Sequence, residues 1–286
     1  MKVRQVLFIE GAVNVLIALI KLVVGLMVQS TAIIADAAHS LTDVANNGLA
    51  YIAIQYSEKP ADEDHRYGHH KYETLAIFAL AMSLVIVAFE VITSAIERFN
   101  STPEHSNVGL WLMVICILIN TALTTWEHHW AKKLNSSLLH ADAKHTFSDV
   151  LTSIAIIVGW QIASRGYPWV DALFAIFVAL IIVYFAYSLF KQAIPVLVDS
   201  TFLDEVKVKE AIHAIPKVKD VDRIRSRYDG KHLSVDVIIS VEPQLSTQES
   251  HRVADKVEHL LATSFDAHDI LVHVEPSTSN KEKPPL

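Results

Sequence analysis

The stretches 35-ADAAHSLTDV-44 and 141-ADAKHTFSDV-150 decide the reading of this chain. Each sets two aspartates and a histidine inside a segment otherwise apolar enough to cross a membrane, and the second repeats the pattern of the first. Ionisable residues are costly inside a bilayer and functional there by default. In each copy the histidine precedes the second aspartate by four residues, as His39 and Asp43 and again as His145 and Asp149. Four residues on a helix bring two side chains to one face, one turn apart. Each helix therefore offers an imidazole beside a carboxylate. Two such helices supply two nitrogen and two oxygen donors, a set that suits four-coordinate zinc and accepts other divalent transition metals.

The surroundings support a membrane location. Only 19% of the 286 residues are charged, against about 25% in an ordinary soluble chain. The apolar excess lies almost wholly before residue 195, and the remainder has the composition of a soluble domain. Six segments are long and apolar enough for membrane helices, at about 6–28, 32–56, 73–97, 108–130, 138–163 and 169–191. The second and fifth are the least apolar and hold the repeats. The apolar run after Lys2 and Arg4 is too long for a signal-peptide core, so it reads as a retained first helix. With six spans both termini share one side. That side carries Lys2, Arg4, Lys59, Arg66, Lys71, Lys132, Lys133 and Lys191, and the other only Arg98 and Arg165. This bias predicts an integral membrane protein with both termini cytoplasmic.

Depth follows from helix geometry. His39 and His145 each lie about 8 residues into their helices, roughly 12 Å from the surface where each helix starts. An odd number of crossings separates the two helices, so they run antiparallel and both pairs straddle the middle of the bilayer. Two antiparallel copies of one motif meeting at the midplane are the mark of inverted transporter repeats. Asp36 and Asp142 precede Asp43 and Asp149 by seven residues and share their faces. They are expected to line an outer and an inner approach to the site.

Beyond residue 200 the periods change. Residues 204–215 and 247–263 have helical spacing, while 217–228, 232–242 and 269–275 read as strands, with the turn 229-DGK-231 between the first two. The order αββαβ predicts a small α+β domain with its helices on one face of the sheet. The expected division is a transmembrane domain over 1–200, a cytoplasmic domain over 201–276 and a disordered tail over 277–286. A net charge of −7 without a long basic run argues against nucleic-acid binding. The single cysteine, Cys116, excludes a disulfide framework and a cysteine-based zinc site.

Further candidate ligands are grouped. The loop 62-DEDHRYGHH-70 spaces Asp62, His65 and His69 by three and four residues, so one turn or a tight loop gathers them. In the C-terminal domain His273 and Glu275 are two apart on a strand and share a face. His251 sits on the helix before that strand, and Asp222 and His232 lie on the first hairpin. Glu10, Asn14 and Lys21, in the first helix, either face the bundle interior or snorkel.

Six membrane helices, His-x-x-x-Asp in the second and fifth, a histidine-bearing loop after the second and a C-terminal αββαβ domain together resemble the cation diffusion facilitator family. The resemblance covers about residues 5–276. It implies a homodimeric secondary active transporter, not an enzyme, that exports divalent cations in exchange for protons. It implies Zn2+ as the transported and regulatory ion, and no organic cofactor. The transport site would be His39, Asp43, His145 and Asp149, with a loop metal site at Asp62, His65 and His69. Some relatives carry aspartate at the position of His39, and histidine there goes with zinc selectivity. Lys71 and Asp199 match a charge pair that ties membrane domains together across the dimer. The C-terminal domain would be ferredoxin-like, of the metallochaperone type, with dimer-stabilising zinc sites matched by His251, His273 and Glu275 and, more weakly, by Asp222 and His232. Ile238 and Asp222 stand where relatives carry histidines, which points to one weaker site. Iron(II), manganese or cobalt export is the alternative within the family. Outside it stand a zinc-dependent membrane metalloenzyme and a zinc sensor, although a catalytic zinc keeps three protein ligands and an open position, not four.

Overall fold

A computed structural model describes residues 1–28, 31–98, 107–163 and 168–277, with side chains for most of these; those of residues 24–39 lie outside the described set. Six helices come first: α1 (Val3–Val28), α2 (Thr31–Ser57), α3 (Lys71–Arg98), α4 (Asn107–Leu134), α5 (Ser137–Ala163) and α6 (Pro168–Leu197). The shortest has 26 residues, about 39 Å at 1.5 Å per residue, enough to cross a hydrocarbon layer of roughly 30 Å. Within α1, α3 and α6 the stretches Val3–Val23, Lys71–Thr93 and Ile176–Leu197 are apolar enough to span by composition alone. α2, α4 and α5 have spanning length but carry the polar residues.

That division has a packing counterpart. Phe8 on α1, Phe89 on α3 and Leu180 on α6 are each more than 60% exposed. Exposed apolar surface on this scale is stable against lipid and not against water. The opposite faces of the helices meet in a common core that includes Leu7, Ala50, Ala53, Leu80, Leu84, Leu139 and Ile182. Small residues on α2 and α3, Ala50, Ala53, Ala76, Ala81 and Ala88 among them, let backbones approach closely, as membrane helix packing requires. The membrane-domain unit comprises Met1–Ile194, and a second unit Pro195–Leu286.

The second unit follows the order α7 (Glu205–His213), β1 (Val218–Tyr228), β2 (Leu233–Val241), α8 (Thr247–Phe265) and β3 (Ala267–Pro276). β1 pairs antiparallel with β2, across a turn in which Gly230 adopts φ +104° and the Asp229 carboxylate accepts the N–H groups of Lys231 and His232 at 2.8 and 2.6 Å. β2 pairs parallel with β3, which requires a crossover, and α8 supplies it. α8 begins in a capping box between Ser246 and Glu249. The odd-numbered residues of β2, Leu233 through Val241, are all buried, and they pack with Val208 and Ile212 of α7 and Val253, Val257 and Leu261 of α8. Both helices therefore cover one face of the sheet. Residues 278–286 of the expected tail lie outside the described residues.

Candidate metal centres

α2 and α5 bring the two halves of the repeat together. Ligand atoms of Asp43, His145 and Asp149 all lie within 4.8 Å of one another. Nε2 of His145 is 3.2 Å from Oδ1 of Asp43. Two ligands held about 2.1 Å from one zinc at the tetrahedral angle lie roughly 3.4 Å apart, so this pair already has the spacing of donors to a single ion. His145 is 3% exposed, whereas Asp43 and Asp149 are half-buried and face a small cleft with Asn14, Ser40, Asn47, Asn120 and Thr146. His39 lies one turn before Asp43 on the backbone of α2; its side chain, like that of Asp36, is outside the described residues.

Around these donors stands a polar shell. Nδ2 of Asn46 lies 3.3 Å from His145 Nε2 and donates to Ser83 Oγ on α3 at 3.0 Å. Asn14 donates to Asn47 at 3.2 Å, and Lys21 to Ser40 Oγ at 2.9 Å. Asn14 and Lys21 therefore face the bundle interior. Asn46 was not singled out from sequence; its only signal there was an amide in a membrane helix.

The loop between α2 and α3 forms a second group. Asp62, His65 and His69 also have ligand atoms within 4.8 Å. Nδ1 of His65 is 3.3 Å from Asp62 Oδ1, and Nε2 of His69 is 3.3 Å from Oδ2. Nδ1 of His69 lies 3.1 Å from the Pro60 carbonyl, which orients the ring as a carbonyl partner does for a metal-bound imidazole. The backbone N–H of His65, 2.7 Å from Asp62 Oδ1, holds the Asp62 carboxyl below the usual carboxylate range, with a smaller contribution from His69. Gly68 turns the chain at φ +85°, a conformation that favours glycine.

A third group joins residues that the sequence motifs did not link. Glu10 on α1, Glu127 on α4 and Asp142 on α5 bring carboxylate oxygens within 4.8 Å of one another, and none of the three residues is more than 1% exposed. Asp142, assigned from sequence to an inner approach, belongs to this cluster.

In the C-terminal unit the five candidates do not converge within one chain. β3 pairs His273 with Ile238 and Glu275 with Ser240 in register, on the sheet face opposite the helices, and His273 Nε2 is 3.6 Å from Glu275 Oε1. His251 is exposed on α8, 3.6 Å from Asp255. Asp222 accepts from Ser240 Oγ, and the His232 ring lies tilted against that of His268, with centroids 4.9 Å apart. Lys71 opens α3, and Asp199 follows α6 with φ +52°.

Comparison with known proteins fits this arrangement. Residues 7–198 match the cation efflux transmembrane domain, and residues 203–277 match the cytoplasmic domain of cation efflux proteins. The chain is 30% identical to the uncharacterised transporter MJ0449 of Methanocaldococcus jannaschii, over 96% of this chain and 98% of that protein. It is 29% identical to the manganese efflux system protein MneS of Bacillus subtilis, over 93% of this chain and 92% of that one. It is also 29% identical to the cation-efflux pump FieF of Klebsiella pneumoniae, over 91% and 88%. An integral membrane protein of helical transmembrane domain and small α/β cytoplasmic domain, the chain belongs to the cation diffusion facilitator family of cation efflux transporters.

Proposed function

We propose that this protein exports Zn2+ across the cytoplasmic membrane in exchange for protons, from a site formed by His39, Asp43, His145 and Asp149. The observation that carries the reading is the meeting of Asp43, His145 and Asp149 from two separate helices at donor spacing. Two imidazoles and two carboxylates match zinc's borderline softness. Metal binding needs neutral imidazole and ionised carboxylate, so the ion and protons compete for the same atoms. Competition at one site open in turn to either side is antiport. The termini face the cytoplasm, the protein works as a homodimer, and residues 201–276 form its dimerisation domain. His251, His273, Glu275, Asp222 and His232 then build a metal site only when a second copy completes it, and Lys71 and Asp199 serve the dimer contact.

The test is transport into liposomes carrying an internal zinc dye and a pH dye. Zinc entry should be matched by proton exit. Zinc flux without proton counterflow would remove antiport from the proposal. Zinc binding without flux would favour a sensor, and zinc-dependent hydrolysis an enzyme.

The relative MneS, named for manganese efflux, supports a second reading in which Mn2+ is the cargo, with Fe2+ and Co2+ as neighbours in ligand preference. His39 decides between them. Replacing imidazole by carboxylate hardens the site, so His39→Asp should shift the Zn2+-to-Mn2+ affinity ratio toward manganese by roughly tenfold or more. Isothermal titration of both ions on both proteins reads this directly. An unchanged ratio would remove His39 from the site.

The loop group is proposed as an accessory metal site, open to solvent through Asp62 and His65 and closed behind by the buried His69. Asp62 bridges both histidines, so Asp62→Asn should abolish zinc binding there while leaving a large part of transport. Because the Asp62 carboxyl is held low, its charge persists on mild acidification. Mild acidification should therefore not cost loop affinity through protonation of Asp62, and the wild type should keep an affinity that Asp62→Asn lacks across that range. Binding titrations between pH 5 and 8 on the wild type and Asp62→Asn check both statements.

A further inference from the structure

We propose that Glu10, Glu127 and Asp142 form a second divalent-cation site inside the membrane domain, an all-oxygen site distinct from the transport site. The proposal rests on the export reading for its role as a staging position and on the geometry for its chemistry.

Three carboxylates converge from α1, α4 and α5 with oxygens within 4.8 Å of one another, all buried to within 1% of complete enclosure. Glu127 supplies the second observation. Its side chain is 0% exposed, its carboxylate is aimed at the other two, and among the described residues no N–H or hydroxyl donor reaches either of its oxygens, whose polar neighbour is the Glu10 carboxyl. Oε2 of Glu10 and Oδ2 of Asp142 also lack such a donor there. The donors beside Glu10 are the Asn47 amide and the Thr146 hydroxyl, the latter at a long 3.4 Å from Oε1. Buried carboxylates short of donors and counter-charge are strongly unfavourable, and closely placed like charges add repulsion. A divalent ion relieves both. Oxygens up to 4.8 Å apart fit around one ion at metal–oxygen distances of about 2.1–2.4 Å. With no nitrogen donor, the set lacks the imidazoles that suit the transport site to zinc and accepts harder ions such as Mn2+ as well.

The position suits a station on the way to the transport site. Glu10 lies seven residues from the start of α1, Glu127 seven from the end of α4 and Asp142 five from the start of α5. With successive helices alternating in direction, all three sit about 8–10 Å from their helix ends on the same side of the bundle, the side bearing the N-terminus. Asp149 is two turns further along α5, about 10 Å deeper. Thr146 spans the gap, touching Glu10 and lining the cleft of Asp43, His145 and Asp149. An ion entering from the terminal side meets the tricarboxylate cluster first.

The experiment measures Mn2+ bound to purified full-length protein by the loss of the free-ion EPR signal. Asp43→Ala combined with Asp62→Ala silences the transport and loop sites, and Glu127→Gln is then added. The addition should lower the bound Mn2+ by one ion per chain. Asp142→Asn on the same background is the second variant, read if Glu127→Gln does not fold, and should give the same loss. Unchanged stoichiometry in a folded variant would overturn the site and leave the cluster holding protons. Because binding is read without flux, this result is separable from failure of the export proposal, which would appear as absent transport in the wild type.

Discussion

Asp43→Ala should abolish metal flux. Asp43 sets a carboxylate oxygen 3.2 Å from His145 Nε2, in a cleft otherwise walled by amides, hydroxyls, Asp149 and Ile17. An ion entering this cleft sheds most of its water, and the protein donors must replace that shell. Loss of an outer partner alone lowers metal affinity about 10–100-fold, so loss of a direct ligand at this depth should cost at least ~100-fold. The substitution also leaves the buried His145 facing an apolar methyl. Asp43→Asn separates the two causes. It keeps the shape and one carbonyl oxygen but removes the negative charge that favours a dication. If charge is the source of binding, Asn should fail nearly as completely as Ala. Zinc flux in proteoliposomes, normalised to folded protein, reads both variants. Substantial flux in either would exclude Asp43 from the transport site.

The sequence was most informative where one helix carries the whole signal. An imidazole and a carboxylate four residues apart in an apolar segment are visible without knowledge of packing, because helix geometry alone places them together. The helix centres were equally legible, since a run of some 20 apolar residues matches the thickness of the hydrocarbon layer and exceeds what a soluble core helix needs. The ends were less so. α4 continues past Trp130, through Lys132 and Lys133, to Leu134, and α6 passes Lys191 to reach Leu197. Polarity marks where hydrocarbon ends, while the helix carries on into the interface. In the second unit, β3 begins at the buried Ala267, before the apolar alternation that marks the strand in the sequence.

The tricarboxylate cluster shows where the sequence stops being legible and why. Glu10, Glu127 and Asp142 belong to three helices and are separated by up to 132 positions in the chain, so no spacing rule links them. Each acid's isolation in an apolar context marks it as interior without naming its partners. The candidates in the C-terminal unit stop short for a different reason. His251 and His273 sit on different faces of one small sheet-and-helix layer, and a site built from them needs a second chain, whose contacts no single sequence encodes in its periodicity.

Leu261→Ala should destabilise the C-terminal unit by about 2–5 kcal/mol, the cost of a cavity left by a large buried aliphatic side chain. Leu261 is fully enclosed, on the face of α8 that packs against β2, with Val257, Ile212 and Val235 in the same core. α8 is also the crossover between the parallel strands β2 and β3, so loosening it exposes the central strand's ladder. Domains of this size have total stabilities of about 5–15 kcal/mol, and the loss is therefore a large fraction. At about 1.4 kcal/mol per factor of ten, amides of β2 that exchange through opening of this unit should exchange roughly 30- to 4,000-fold faster. Amides of α1–α5 should not change, since they belong to the other compact unit. Hydrogen exchange of the full-length protein measures both sets at once, and equal protection of β2 in variant and wild type would show that Leu261 is not a core residue. The variant also reports on metal. An ion that binds the folded domain stabilises it by about 2.7 kcal/mol when its concentration is 100 times its Kd. Zinc should then restore much of the β2 protection lost in Leu261→Ala if the domain binds it, and should leave exchange unchanged if His251, His273 and Glu275 are ordinary surface residues.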